Sequence, residues 1–549
     1  MRRDLPRTCA RVHDLVIVGG GVTGACIARD AALRGLSVAL IEKQDFSHAT
    51  SAASSKLIHG GLRYLKQLEV GLIRESLRER RMWLRTAPHL VYPLAMLLPT
   101  HRGHGRSRGK PMLRAGLSIY DLLAFDRAWL ADPDQRLPGH RSLGIRETLA
   151  LQPDLPADDL TGAIVYHDCQ MFSPERLALE CLLSAAAAGA QLCNYTLAEG
   201  LLRDGSQVLG VRARDLLTNN THELRARLVI NAAGPWADLL LAGLPTSQRV
   251  VRSKGVHIIT RALTTGHAIT FAGKHGHLFL LPWRGHTLIG TTDEAYEGAP
   301  DDFRVTEADI ASLLTSVHEH LPSARLTRAD VLHFYGGLRP LVSDGSDDSD
   351  ANTYDASRRA EVHDHAHADA DHAMTGLISA IGGKWTTSRH LAEQVVDLAA
   401  RKLGRRLPAC STATTPLPGG AIANFRRFVA AQILRHPGHD PAMLEHLARN
   451  YGTRMGELLH IIDADPDLAR PLAEGLPEIG AQIVHALRCE MAVALPDVVF
   501  RRTGLGTLGN PGEAALSVAA RLMGGTLGWD RAERMRQVER VLDTYGAAP

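Results

Sequence analysis

Cysteine is scarce in this chain: seven residues in 549, at Cys9, Cys26, Cys169, Cys181, Cys193, Cys410 and Cys489. No two form a CxxC pair. This excludes a disulfide framework, a zinc ribbon and an iron-sulfur cluster held by its usual cysteine ligands. It fits a reducing, cytoplasmic compartment. Long apolar runs are lacking too. Residues 181–198 and 407–425 carry no formal charge, but they are too polar or too rich in Gly and Pro for a span of ~20 mainly apolar residues. Neither sign of charge dominates: 62 Lys and Arg stand against 59 Asp and Glu, for a net +3, which argues against a whole-chain nucleic-acid binder. Met1 to His13 carries Arg2, Arg3, Arg7 and Arg11 without the apolar centre of a secretory signal. There is no internal repeat.

What is present is ordinary globular composition, 45% hydrophobic and 22% charged. The length suggests three or four domain-sized units at ~150 residues each, and such a chain buries its cores without staples. Glycine is plentiful, at 50 residues. The opening is the most informative stretch. Asp14 to Val18 is a short β-branched run that reads as a buried strand. Gly19-Gly-Gly-Val-Thr-Gly24 follows at once, then an Ala-rich helix to Arg34, with Gly35 as its C-cap. Leu36 to Ile41 is the next buried strand, closed by Glu42. Strand, GxGxxG turn, helix, strand and acid form the dinucleotide fingerprint. Gly19 allows the tight turn, Gly21 lets backbone approach a pyrophosphate, and Gly24 allows helix and strand to pack closely. The helix N-terminus supplies oriented N–H donors. Glu42 would accept hydrogen bonds from an adenosine ribose. The motif alone leaves NAD and FAD open.

Further along, residues 146–343 alternate strands and helices. Leu228 to Pro235 reads as a strand entering a glycine turn. Leu278 to Trp283 and Thr287 to Asp293 read as paired strands about the turn Arg284 to His286. Residues 344–371, acidic and His-rich, read as a loop or exposed hairpin tip. Thr375 to Ile381 returns as a buried strand into Gly382-Gly383-Lys384. Residues 407–425 read as a linker. Beyond them, His446 to Asp463 and Gly480 to Leu495 have helical spacing, with Pro496 ending the second run. The organisation expected is an oxidoreductase region at 1–406, the linker at 407–425 and a helical domain at 426–549.

Ser54-Ser-Lys-Leu-Ile-His-Gly-Gly-Leu-Arg-Tyr-Leu65 resembles the FAD-dependent glycerol-3-phosphate dehydrogenases, within the wider glycine-oxidase and D-amino-acid-oxidase superfamily. The resemblance recurs in order at Asn231-Ala-Ala-Gly-Pro-Trp236, Ile289-Gly-Thr-Thr-Asp293, Gly336-Gly-Leu-Arg-Pro-Leu341 and Gly382-Gly-Lys-Trp-Thr-Thr387. It continues into a helical domain opening near Leu417-Pro-Gly-Gly420 and covers nearly the whole chain. It implies an α/β fold: a Rossmann-type FAD-binding domain, an interleaved antiparallel-sheet substrate domain and an all-helical C-terminal domain. It implies oxidation of sn-glycerol 3-phosphate to dihydroxyacetone phosphate, by hydride transfer to flavin N5. Ser51, Ser54 and Ser55 offer hydroxyls and N–H groups to wrap the cofactor, and Gly234, Gly337 and Gly383 offer close backbone approaches. Arg63, Tyr64, Arg339, Arg358 and Thr386 are expected on the substrate, with the arginines matching a phosphate's oxyanions. His59 or Lys384 is expected to assist deprotonation, and the general base stays open between them.

One segment departs from the family pattern. Where the family carries Ser-Arg-Asp-Tyr, this chain has Ser357-Arg358-Arg359-Ala360, so Arg358 or Arg359 completes the phosphate site. Electrons are expected to pass to quinone, with oxygen second. An amine or amino-acid oxidase, or a silent FAD-binding scaffold, are the alternative readings. His363, His365, His367 and His372 read as a solvated tip rather than a metal site, and no metal is expected. Arg102, Arg106, Arg108, Lys110 and Arg114 form a basic run beside apolar residues. It reads either as a solvated loop or as an aid to peripheral membrane docking. No aromatics interleave as nucleic-acid binding would need. A homodimer is left open.

Overall fold

Asp14 to Val18 folds as the strand His13–Val18, in which every residue is buried. That burial on both faces is why the run reads as continuously apolar rather than alternating. In the computed structural model, which describes residues 1–102, 109–244, 250–264, 266–273, 276–342, 360–367 and 373–548, this strand is central to the first of two sheets. The order there is Ala360–Asp364, Leu377–Gly382, Thr221–Asn231, His13–Val18, Val38–Ile41 and Gln191–Cys193. All these neighbours run parallel except the edge strand Ala360–Asp364.

Register is what builds the site. Val18 lies opposite both Ile41 and Asn231, and Asn231 lies opposite Ser379. The turns that follow these strands, at Gly19, Glu42, Ala232 to Gly234 and Gly382 to Lys384, therefore emerge side by side at the carboxyl ends of adjacent parallel strands. That edge is where open α/β sheets hold their ligands. The helix Val22–Leu33 covers one face, packed by Pro174–Ala187 and Ser388–Lys402, and a core from Leu15 and Ile17 to Val395 and Leu417 fills the space between.

The second sheet is largely antiparallel. It joins Val250–Thr260, His286–Gly290, Gly276–Trp283, His267–Gly273, Val91–His101 and Leu160–Met171, with His333–Val342 paired onto Val250–Thr260. One face packs on the helix Glu307–His320. The other packs on Val70–Thr86 and Lys110–Leu123. Residues 425–545 form helices with two cores of their own.

Three expectations need correction. The helical spacing over residues 446–463 is split: one helix ends at Tyr451 and the next starts at Met455, because Thr453 N–H turns back to the Gly419 carbonyl at 3.0 Å. The run from Gly480 stops at Cys489. Asp497 then caps the Val493 and Ala494 N–H groups at 2.9 Å each, and Pro496 precedes a π-helical turn, Asp497–Arg502, instead of closing a helix. Part of the His-rich segment is not a solvated tip: Ala360–Asp364 extends the first sheet, and His365 is buried with Nε2 2.8 Å from Ser379 Oγ. Residues 344–359, with Arg358 and Arg359, and His372 lie outside the described residues.

Candidate active site

A cleft of about 330 Å³ opens where the four strand ends meet, within the range of small-molecule sites. Of the expected cofactor residues, Gly19, Gly21, Glu42, Ser51, Gly234 and Gly383 line it, and so does Lys384. Gly24 lies beneath. A Cβ there would stand 1.9 Å from the Gly19 carbonyl oxygen, and one on Gly19 (φ +112°) would stand 2.4 Å from that of Ala232. Both positions exclude a side chain, and their contact fixes the helix against the strand. The helix N-terminus has no side-chain cap on Gly21 and no acid in its first turn. Val22 N–H donates to Ser51 Oγ at 2.9 Å, which anchors the Ser51 loop across the turn. The Glu42 carboxylate accepts Gly20 N–H at 2.7 Å and Gln44 N–H at 3.0 Å. Each oxygen keeps a lone pair for a ribose hydroxyl. A helix N-terminus without an acid, a glycine turn without room for side chains and a fixed carboxylate suit the pyrophosphate and ribose of FAD.

The loop after Ser51 crosses to the second sheet. Thr50 Oγ1 donates to Leu338 O at 2.6 Å, and Trp385 Nε1 to Ser51 O at 2.9 Å. Gly337 packs on Ala53, where an added Cβ would lie 2.8 Å from the alanine methyl. Ser54 and Ser55 do not line the cleft. Ser54 Oγ accepts Lys56 N–H at 3.2 Å, and Ser55 Oγ lies 2.9 Å from His257 Nε2.

His257 went unnoticed in the sequence because a single histidine in the apolar strand Val250–Thr260 resembles a core residue. It is buried, stacks on Tyr335 with centroids 5.1 Å apart, and faces Ser55. Burial, then the Arg339 and Lys56 cations, hold its pKa well below the ordinary histidine value, so it is neutral near pH 7. Lys56 was missed as well. Its buried ammonium lies 4.5 Å over Trp283, 4.9 Å over Tyr335 and 3.5 Å from Glu175.

Arg339 is paired in register with Ser253. Its Nη1 donates to Ser253 Oγ at 3.1 Å, and its Nη2 to Thr291 Oγ1 at 2.6 Å and Thr292 O at 3.0 Å. The guanidinium lies over Gly255, where a Cβ would come within 2.1 Å of Nη2. Rigidity, expected from Pro340, comes mainly from these bonds.

A second group of expected residues gathers at the other end of the same segment. The Lys384 ammonium stands 4.2 Å over the Tyr64 ring and Arg63 lies 5.0 Å from that ring. Lys384 Nζ is shielded from water, and among the described residues no acceptor meets it in good hydrogen-bond geometry. Burial lowers its pKa, with Tyr64 and Glu75 opposing. Thr386 is buried, and its hydroxyl holds the His59 carbonyl at 3.0 Å, so it fixes the turn that presents His59. Below, Gly60 N–H, Tyr120 and Arg80 all donate to Asp168. Away from this site, Glu457, His485 and Cys489 bring ligand-type atoms within 4.8 Å of one another. Arg454 already sits there, 2.9 Å from Glu457 and 3.3 Å from His485, and supplies the positive charge.

Comparison with known proteins gives the family. A family model described as FAD dependent oxidoreductase matches residues 14–389, and one described as the C-terminal domain of alpha-glycerophosphate oxidase matches 410–534. A Synechocystis protein named glycerol-3-phosphate dehydrogenase is 35% identical over 98% of this chain and 97% of its own. An aerobic glycerol-3-phosphate dehydrogenase of Staphylococcus aureus is 34% identical over 90% of this chain and 86% of its own. The solved glycerol-3-phosphate dehydrogenase of Bacillus halodurans, complexed with FAD, is similar over 98% of this chain and 95% of its own, with a TM-score of 0.78 and 29% identity.

Proposed function

The chain belongs to the FAD-dependent glycerol-3-phosphate dehydrogenase family, and from that premise we propose that it oxidises sn-glycerol 3-phosphate to dihydroxyacetone phosphate and hands the electrons to a membrane quinone. The observation that carries the reading is a neutral, buried imidazole, His257, held by Ser55 and neighboured by the fixed cation Arg339. An amine substrate would ask for a carboxylate clamp; a phosphate monoester asks for several cations, and Arg63, Arg339 and Lys384 offer them.

When bound, FAD supplies the two-electron acceptor for the hydride that leaves the substrate carbon. Gly19, Gly21, Glu42 and Ser51 would hold its nucleotide half. Arg339, Lys384 and Arg63 neutralise the phosphate and orient the glycerol. The His257 imidazole takes the proton of the C2 hydroxyl, a role that a neutral ring fills and an imidazolium does not. This moves the base from His59 or Lys384 to His257 and leaves Lys384 as a cation that stabilises developing negative charge. No described helix is long and apolar enough to cross a membrane, so contact with a lipid-soluble acceptor falls to the protein surface.

The test is anaerobic. The purified protein should carry a flavin spectrum whose visible band bleaches on adding sn-glycerol 3-phosphate. Readmitting a quinone should restore the band much faster than readmitting air. A band that survives glycerol 3-phosphate but bleaches with an amino acid overturns the substrate; faster recovery in air overturns the acceptor.

A further inference from the structure

The peptide between His59 and Gly60 is held at both ends. Its carbonyl accepts the Thr386 hydroxyl at 3.0 Å. Its N–H donates to Asp168 Oδ1 at 2.9 Å. The two side chains come from different sheets. Thr386 lies just past Lys384, in the segment that follows Leu377–Gly382 of the first sheet, and its own carbonyl accepts Trp83 Nε1 at 3.1 Å. Asp168 stands on Leu160–Met171 of the second sheet.

Asp168 is more than a counterion. It is buried, and the oxygen that takes Gly60 N–H also takes Arg80 Nη1 at 2.5 Å and the Tyr120 hydroxyl at 3.0 Å. Neutralising Arg80 would need no backbone partner; here the paired carboxylate also fixes one peptide of a glycine turn. That turn is close-packed. A Cβ on Gly60 would lie 2.0 Å from the Tyr120 oxygen, and one on Gly61 (φ +80°) would lie 2.5 Å from the Tyr64 ring and 3.5 Å from Lys384 Nζ. From Gly61 the chain enters the 3₁₀ helix Leu62–Gln67, with Tyr64 N–H bonded to the Gly61 carbonyl at 3.0 Å. The placement of the His59–Gly60 peptide therefore sets where Arg63 and Tyr64 begin.

We propose that Asp168 and Thr386 are positioning residues for the substrate's phosphate: through the His59–Gly60 peptide they hold Arg63 and Tyr64 in step with Lys384 and Arg339. Thr386 ties the turn to the segment of Lys384. Asp168 ties it to the sheet that carries Arg339. Cations that must meet one phosphate group together lose affinity when their spacing is loosened. This role rests on the glycerol 3-phosphate reading; affinity for phosphate itself is measured without turnover.

The experiment uses the FAD-loaded enzyme and three variants. Thr386→Val keeps the shape of the side chain and loses the hydroxyl, whereas Thr386→Ser keeps the hydroxyl. The double variant Arg80→Met, Asp168→Leu removes the buried pair together, so that no charge is left uncompensated, and takes the acceptor from Gly60 N–H. Thr386→Val and the double variant should each raise KM for glycerol 3-phosphate, and Kd for inorganic phosphate by calorimetry, about three- to tenfold. With a soluble dye as acceptor, kcat should change much less, and the flavin band should be retained. Thr386→Ser should restore both constants. The role is wrong if Thr386→Val binds phosphate like wild type, if Thr386→Ser is as impaired as Thr386→Val, or if the loss falls on kcat or on flavin content instead. Should the double variant not fold, the Thr386 pair decides. Phosphate binding that weakens in the variants, in an enzyme that glycerol 3-phosphate does not reduce, leaves the role standing and removes the substrate reading. Reduction by glycerol 3-phosphate with variants equal to wild type does the reverse. A wild type that neither binds phosphate nor is reduced removes both.

Discussion

At the residue scale, two groups carry opposite charge logic. His257 is held neutral by burial and by the Arg339 and Lys56 cations; because its folded pKa is lowered, the neutral base persists as pH falls through the ordinary histidine range. The acid limb of kcat/KM should therefore lie below about pH 6.5. His257→Asn should cost about 10²–10⁴-fold in kcat, the usual weight of a general base, and leave flavin binding intact. Lys384 is lowered by burial, so its cation is lost at lower pH than that of an ordinary lysine. KM for the phosphate substrate should rise on the alkaline side below about pH 10.4. Lys384→Arg should push that limb outward, since a guanidinium keeps its charge; a limb that stays put assigns it to another group. Neither role was fully legible in the sequence. Lys384 follows a glycine pair after a buried strand and announces itself. His257 acquires its role only through Ser55, 202 residues away in sequence, and Tyr335.

At the scale of elements, the cofactor edge was readable because each of its turns directly follows a short buried run: Val18 into Gly19, Ile41 into Glu42, Asn231 into Gly234, Ile381 into Lys384. What was not readable is that these strands are neighbours. That follows from parallel pairings such as Val18 with Asn231 and Asn231 with Ser379, which no local pattern encodes. The antiparallel sheet was harder still: Arg339 meets Ser253, and Tyr335 meets His257, through a long-range register. The tightest joint in the cofactor edge is Gly24 against Gly19, where an added methyl would lie 1.9 Å from the carbonyl oxygen. Backbone on both sides leaves no flexible group to yield, so Gly24→Ala must move the helix away from the strand. Such overpacking costs about 1–3 kcal/mol. Paid in the geometry of the anion site, it should weaken FAD by about tenfold or more. Titrating apoprotein with FAD and following the quenching of flavin fluorescence measures this; an unchanged Kd would mean the helix N-terminus does not hold the pyrophosphate.

At the scale of the molecule, the helical region is fastened to the cofactor domain by buried ions, with Met491 also joining the core of the cofactor domain. Asp45, three residues past Glu42, accepts two bonds from Arg502 at 2.8 Å each, one from Arg501 at 2.6 Å and one from Asn194 at 3.1 Å. Arg176 meets Glu490 at 2.8 and 3.0 Å. Burial alone would raise the Asp45 carboxyl, but Arg502 and Arg501 outweigh it and hold it below the ordinary carboxylate value. A depressed folded pKa means that the stabilisation is present above the unfolded value of about 3.9 and is lost as pH falls below it. Wild type should therefore loosen at this joint in acid. Asp45→Asn removes the charge at every pH and leaves the buried Arg502 guanidinium without its carboxylate, while Arg501 keeps Asp497 at 2.7 Å, at a cost of about 3–5 kcal/mol. Its melting temperature at neutral pH should fall, and the dependence of that temperature on pH below about 4 should flatten. Because Asp45 closes the loop that begins at Glu42, FAD should dissociate faster from the variant as well. Thermal melts across pH, with flavin release followed in the same samples, read both effects. Melting at the wild-type temperature would mean that the helical region is held by its apolar contacts alone; a lowered melt with unchanged flavin release would mean that the joint serves stability and leaves the cofactor edge untouched.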